Sequence, residues 1–399
     1  MKKINLIYSD SISKETQSDY LNYEEIYDYG FTHVNNLNHD TEYIFIEFIP
    51  GYPSFEFKET NSYLISDEIY EKILEGYNIN LIYMTHSETD IPWCVKDVED
   101  VLKNFKIDLK KVYLLTGNQL LHKIKEKYNG TINVKTINRI PKDFCRKVFH
   151  QEKKYGFDFT LKKYLFQCYN RLYKPHRFLT LSYLHHHGLL EKCDWSFLRN
   201  LGHQDDYKNI ESYRGNYSPM EEIISKTEIQ KIDKSLEFIL DTKSKKSIEE
   251  AHYESDRPEG PNFSNLYTHN PFQHSYINIV TESQYQWEDT IHITEKSMAP
   301  FYFYQFPIIV SSVNHIQKMR ELYDFDWFDD IINHDYDSEI DNEKRLHKIM
   351  KELSRLNTVQ EDIISFYYNN QDRFEHNKKQ IEKIDSSEID RKFFKSFIL

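Results

Sequence analysis

Short apolar runs alternate with amphipathic stretches through the first 150 residues. The runs at 4–8, 43–49, 80–84, 111–115 and 132–137 have strand length and little polar interruption. Between them the apolar positions change to a helical period. Ser66 suits an N-cap, with Asp67 and Glu68 in the first turn, Ile69, Ile73 and Leu74 as the inward stripe and Gly76 as the stop. Val95, Val98, Leu102 and Phe105 mark a second helix, and 119–128 a third that ends near Gly130. Strands alternating with short helices predict a parallel, Rossmann-like sheet covered on both faces.

Residues 145–163 are charged and lack a strong period, which reads as the connection into a second domain. The pattern restarts with an apolar run at 164–169. Pro175 suits the first turn of a helix reaching about residue 187, with Gly188 beyond it. Ile229, Ile232, Leu236 and Ile239 predict an amphipathic helix over 228–240. The stretch 241–275 is polar, carries Pro258, Gly260, Pro261 and Pro271, and reads as irregular. Runs at 276–281 and 307–311 are buried-type strands separated by a helix starting near Thr294, which Pro300 should keep short or kinked. The last seventy residues read as helical and charged. No internal repeat or low-complexity tract appears.

Composition narrows the functional classes. Ten glycines in 399 residues, widely spaced, exclude a P-loop and a G-x-G-x-x-G dinucleotide loop. A phosphorylated ligand would therefore need side chains and a helix N-terminus. An aromatic content of 15% supports a large core. The net charge of −13 argues against a basic nucleic-acid footprint. Cys94, Cys145, Cys168 and Cys193 have no C-x-x-C spacing and read as reduced thiols in a cytoplasmic compartment. No run approaches the ~18 apolar residues of a membrane span, and the N-terminal apolar run is too short for a signal peptide. Richness in Lys, Ile, Asn and Tyr suggests an AT-rich coding sequence, as in a virus or a low-GC bacterium.

The strongest chemical constellation is the segment from 276 to 312. A strand ends at Thr281-Glu282, and Thr294-Glu295-Lys296 opens a helix. Glu295 there suits a sugar hydroxyl and Lys296 a diphosphate, with helix N–H groups adding to the anion site. The same residues also suit an ordinary capped helix with an acidic first turn. Ile279-Val280-Thr281-Glu282-Ser283, His292-Ile293-Thr294-Glu295-Lys296 and Phe306-Pro307-Ile308-Ile309-Val310 together resemble the donor-site motif of GT-B glycosyltransferases of the α1,3-fucosyltransferase type. Asn170-Arg171-Leu172-Tyr173-Lys174-Pro175-His176-Arg177 is similar to a box found in glycosyltransferases of phages and giant viruses. Trp327–Asp337 and Arg345 also have counterparts there. Ser283 follows Glu282 directly, where the fucosyltransferase box has an Asn, so the donor sugar stays open.

The resemblance implies an α/β, GT-B-like fold with two Rossmann-like domains facing a cleft and a helical C-terminal tail. Residues 1–150 would form the acceptor-side domain, 160–340 the nucleotide-sugar domain and 341–399 the tail. It implies an inverting, metal-independent transfer from a nucleotide-sugar donor to a glycan or other hydroxyl acceptor, with no cofactor. Arg171, Arg177, Glu282, Glu295 and Lys296 would hold the donor, cationic groups stabilising the leaving diphosphate. The acidic loop after the strand at 80–84 offers Glu88 as the general base, with His86, Asp90 and Asp10 as alternatives. That loop also reads as a cap for the following helix. Asp324-Phe325-Asp326 and Asp335-Tyr336-Asp337 have D-x-D spacing but lie among helices, so no metal is assigned. The adjacent His185, His186 and His187 diverge on a helix and do not converge on one ion. A transferase acting on modified DNA bases and a non-catalytic sugar- or nucleotide-binding protein are the rival readings.

Overall fold

The computed structural model describes residues 4–7, 31–33, 37–49, 65, 67–85, 92–105, 107–136, 159, 161–170, 174–197, 218–242, 270–288 and 290–385. The chain divides at Arg139 and Ile140 into two units. The expected irregular stretch at 241–275 lies largely outside the described residues, as does most of the connection at 145–163.

The first unit is built on a six-stranded parallel sheet of β1 (Ile4–Ile7), β2 (Phe31–His33), β3 (Glu42–Ile49), β4 (Asn78–Thr85), β5 (Val112–Thr116) and β6 (Asn133–Thr136). Their spatial order is β2-β1-β3-β4-β5-β6. The order reverses between β1 and β3, the arrangement of a doubly wound sheet. The helices α1 (Asp67–Leu74), α2 (Pro92–Asn104) and α3 (Leu121–Lys127) connect the later strands. Gly76 follows α1 with φ +91°, a left-handed conformation that releases the chain into β4. Tyr43, Phe45, Leu81, Leu114, Val98 and Leu102 are buried between sheet and helices.

The second unit carries a four-stranded parallel sheet of β7 (Tyr164–Asn170), β8 (Cys193–Phe197), β9 (Ser275–Thr281) and β10 (Phe306–Val310), in the order β10-β9-β7-β8. β9 and β10 are buried along their whole length, which explains their largely apolar sequence. Helices α4 (Pro175–His186), α5 (Lys226–Asp241), α6 (Glu295–Tyr302) and α7 (His315–Leu322) flank the sheet. Pro300 lies inside α6, which is only eight residues long, as its sequence predicts. Both sheets are thus parallel and α/β, and the strands at 80–84 and 111–115 share one sheet while those at 276–281 and 307–311 share the other.

The helices α8 (Asn342–Thr358), α9 (Gln360–Asn369) and α10 (Gln371–Asp385) pack into the second unit. The reason is their apolar stripe. Leu346, Ile349, Leu353 and Leu356 of α8 are buried, and Phe306 of β10 meets Phe366 and Phe374. Within the sheet, Gln305 just before β10 joins a buried amide network. It donates to Gln167 Oε1 at 3.1 Å and Ser275 O at 3.1 Å, and accepts from Asn278 Nδ2 at 2.9 Å. Gln305→Leu strands the Asn278 amide and is expected to lower stability by about 1–3 kcal/mol, read from the midpoint of urea unfolding. Among the described residues no helix is long and apolar enough to cross a membrane.

Candidate functional site

The order β10-β9-β7-β8 reverses between β7 and β9, so their carboxyl ends open the crevice in which doubly wound sheets bind ligands. Asn170 closes β7 and Thr281 closes β9, and the Thr281 hydroxyl donates to the Asn170 side-chain oxygen. The next residue, Glu282, is fully buried.

Glu282 organises the crevice in two directions. Its backbone carbonyl accepts from His176 Nε2 at 2.7 Å and Arg177 Nη2 at 3.3 Å, both in the first turn of α4. Lys174, which precedes that helix, donates to the neighbouring Ser283 carbonyl at 2.8 Å. The Lys-Pro-His-Arg sequence therefore clamps the chain leaving β9. His176 is buried, and burial drives its imidazole well below the usual histidine value, Arg177 beside it adding to the effect. The ring is neutral and donates from Nε2. It also stacks on Tyr285 with centroids 5.6 Å apart.

The Glu282 carboxylate reaches the start of α6. Thr294, the N-cap, donates from Oγ1 to Glu282 Oε2 at 2.8 Å and from its backbone N–H to Oε1 at 3.2 Å. Ser297 Oγ donates to the same Oε1, and the Ser283 N–H reaches Oε2 at 3.0 Å. Burial pushes this carboxyl up, but Lys296, His315 and the Ser297 and Thr294 hydroxyls outweigh it and hold it below the ordinary value. Thr294 Oγ1 in turn accepts from the Lys296 N–H at 3.2 Å, the usual N-cap bond. The first turn of α6 is thus fixed by a buried anion.

Glu295 and Lys296 stand on that turn with side chains 19% and 20% exposed, their charged ends 3.4 Å apart. Among the described candidate residues, these two reach solvent. Arg177, only 4% exposed, and Glu282 are interior and support the loop between them. Arg177, for which the sequence suggests a phosphate-binding part, donates from Nη2 to the Glu282 carbonyl within the buried first turn of α4. Arg171 lies outside the described residues, as do Glu88, His86, Asp90 and Asp10.

Two further residues shape the crevice. Arg345 on α8 is buried and donates to the carbonyls of Ser311, Tyr285 and Glu339, tying together the segments that follow β9 and β10. Its guanidinium also lies 4.4 Å from the centre of the Tyr285 ring. His315, at the start of α7, contacts Ser297 Oγ at 3.0 Å and Ser311 Oγ at 2.9 Å. Nothing in the local sequence pattern singles out His315: Ser311 is four residues before it, but Ser297 comes from the first turn of α6.

The acidic pairs with D-x-D spacing have protein partners. Asp337 accepts from the Ile316 and Gln317 N–H groups, each at 2.9 Å, and so caps α7. Asp326 is held by Arg373 on α10. Of the three consecutive histidines, His185 pairs with Ser235 and stacks on Phe238. Among the described residues, Glu228, Glu343 and His347 bring possible metal-ligand atoms within 4.8 Å of one another. Glu228 there is bonded by Lys231 and Tyr183, and Glu343 by the Ser225 N–H.

Comparison with family models, curated proteins and solved structures gave no match.

Proposed function

We propose that the second unit binds the diphosphate of a nucleotide sugar at the start of α6, and that the protein is a glycosyltransferase of GT-B type. The observation that supports this most is the anchored Thr294-Glu295-Lys296 turn at the reversal point of a parallel sheet. A buried carboxylate fixes its N-cap, while Lys296 and Glu295 reach solvent. Helix N–H groups and one fixed cation suit a leaving diphosphate, whose negative charge grows as the glycosidic bond breaks. Glu295 suits a sugar hydroxyl. The resemblance of the segment from 276 to 312 to fucosyltransferase-type donor sites supports the same reading.

In this reading the first unit supplies the acceptor side. Glu88 removes the acceptor proton as the hydroxyl attacks the anomeric carbon from the face opposite the diphosphate, which inverts that centre. The reaction runs in a cytoplasmic, reducing compartment and needs no cofactor. Glu88→Gln is expected to keep nucleotide-sugar affinity, to abolish transfer and to remove the acidic limb of the pH–rate profile. Normal turnover with an unchanged limb would move the base to His86, Asp90 or Asp10.

Charge stabilisation by Lys296 and the helix also sets an expectation for chelation. EDTA should leave binding of a nucleoside diphosphate intact, as followed by titration calorimetry. Loss of binding on chelation would instead bring the acidic pairs of 324–337 forward as metal ligands. The reading as an enzyme is tested by release of nucleoside diphosphate from UDP-, GDP-, CDP- and dTDP-sugars. Slow hydrolysis without acceptor is expected of a transferase, and binding without any release would mark a non-catalytic binding protein.

A further inference from the structure

We propose that His315, fully buried and remote in sequence from the crevice residues, is the positioning residue for the α6 turn, and so for Lys296. The inference rests on the donor-site reading for its functional arm, and on geometry alone for its structural arm. Its imidazole lies between two serines, with Nε2 3.0 Å from Ser297 Oγ and Nδ1 2.9 Å from Ser311 Oγ. The Ser297 hydroxyl proton is directed to Glu282 Oε1, so Ser297 must accept from His315 Nε2–H. In the neutral ring His315 Nδ1 is an acceptor, and it shares the one Ser311 hydroxyl proton with the Gln284 carbonyl, at 2.9 and 3.3 Å.

The row continues through the carboxylate. Glu282 accepts from the Thr294 hydroxyl, and Thr294 Oγ1 accepts from the Lys296 N–H. A chain of hydrogen bonds therefore runs from Ser311, after β10, through His315, Ser297, Glu282 and Thr294 to the backbone of Lys296. Every side chain in it is at most 4% exposed, so water does not compete for the bonds. The origin of the chain is itself fixed. Asp337 caps α7 through the Ile316 and Gln317 N–H groups, and its carbonyl accepts from the Asn314 N–H at 2.7 Å. His315 thus enters from an anchored helix start and meets Ser297, which bonds Glu282. Without its N–H, Ser297 loses the bond that directs its own proton, and Glu282 loses one of the groups that centre it.

His315→Phe keeps a ring in the space and removes both nitrogens, while His315→Gln restores an N–H donor toward Ser297. Hydrogen exchange followed by mass spectrometry reads the local effect. In His315→Phe the amides of 294–297 are expected to exchange about tenfold faster, with α8 peptides unchanged, and His315→Gln should return them most of the way. Ser297→Ala breaks the same link from the other end and should reproduce the effect if His315→Phe fails to fold. In turnover, His315→Phe should lower kcat about tenfold with little change in the KM for donor, because the misplaced cation matters most in the transition state. Unchanged exchange at 294–297 in the Phe or Ala variant, or no recovery with Gln, overturns the proposal. Wild-type protein that neither binds nor turns over a nucleotide sugar would end the donor-site reading and leave the exchange result to judge His315. Normal wild-type turnover with unaltered exchange in the variants would end this inference alone.

Discussion

Glu282→Ala is expected to destabilise the second unit by about 3–5 kcal/mol, because it leaves buried donors facing a void. Four groups lose their acceptor: the Ser283 and Thr294 N–H groups and the Thr294 and Ser297 hydroxyls. The change is read by urea unfolding followed through tryptophan fluorescence, since Trp195, Trp287 and Trp327 all belong to this unit. Acid adds a second signature. The Glu282 carboxyl sits below its ordinary value of 4.5 in the fold, so its contribution is complete above pH 4.5 and fades as pH falls through the folded value. Burial lowers His176 and His315 below their ordinary 6.5, so the unfolded chain takes up protons at a higher pH than the fold does. Stability therefore begins to fall below pH 6.5 in both proteins. Only the wild type should show the additional loss below pH 4.5 that Glu282 contributes. A variant as stable as the wild type at pH 7 would mean that the carboxylate does not organise the crevice.

Lys296→Ala is expected to lower kcat by about a hundred- to a thousandfold, the effect of removing one fixed donor to a developing oxyanion, about 2.7–4 kcal/mol. The KM for the donor should change far less, because the diphosphate gains charge as it leaves and the interaction strengthens on the way to the transition state. The substitution is expected to fold, with some loss of stability because Lys296 helps keep the buried Glu282 carboxylate charged. The Lys296 side chain is 20% exposed, and the N-cap bond at this position is made by its backbone N–H. Arginine at the same position should recover part of the rate, retaining charge with a different shape. Steady-state rates of nucleoside diphosphate release give both parameters. Equal losses in affinity and rate would make Lys296 a ground-state contact and place the charge stabilisation elsewhere.

Much of this architecture was legible before any coordinates. Largely apolar runs mark β9 and β10, because strands buried on both faces have no solvent side to show, and Asn278 in β9 is bonded within the core. Thr294 followed by Glu295 announced the start of α6, and Pro300 its short length. Other elements left little trace. β8 reads Cys-Asp-Trp-Ser-Phe, too short and mixed to stand out, and α7 presents only His315, Ile316 and Met319 to the interior. The strand order was hidden for a different reason. Pairing β9 with β7 joins segments more than a hundred residues apart, and no local period encodes that choice. The supporting side chains were hidden in the same way. Arg177 and Lys296 are both cations near a helix start, yet burial turns one toward a carbonyl and leaves the other partly in solvent.

The central claim is that the α6 turn holds the diphosphate of a nucleotide sugar. It is tested most directly by thermal unfolding of the wild type and Lys296→Ala with UDP, GDP, CDP, dTDP and their sugars. At a hundred times its Kd, one of these should stabilise the wild-type second unit by about 2.7 kcal/mol. The same ligand should raise the midpoint of Lys296→Ala by a smaller amount, each protein being compared with its own unliganded midpoint. No shift with any nucleotide, or an equal shift in both proteins, would contradict the account.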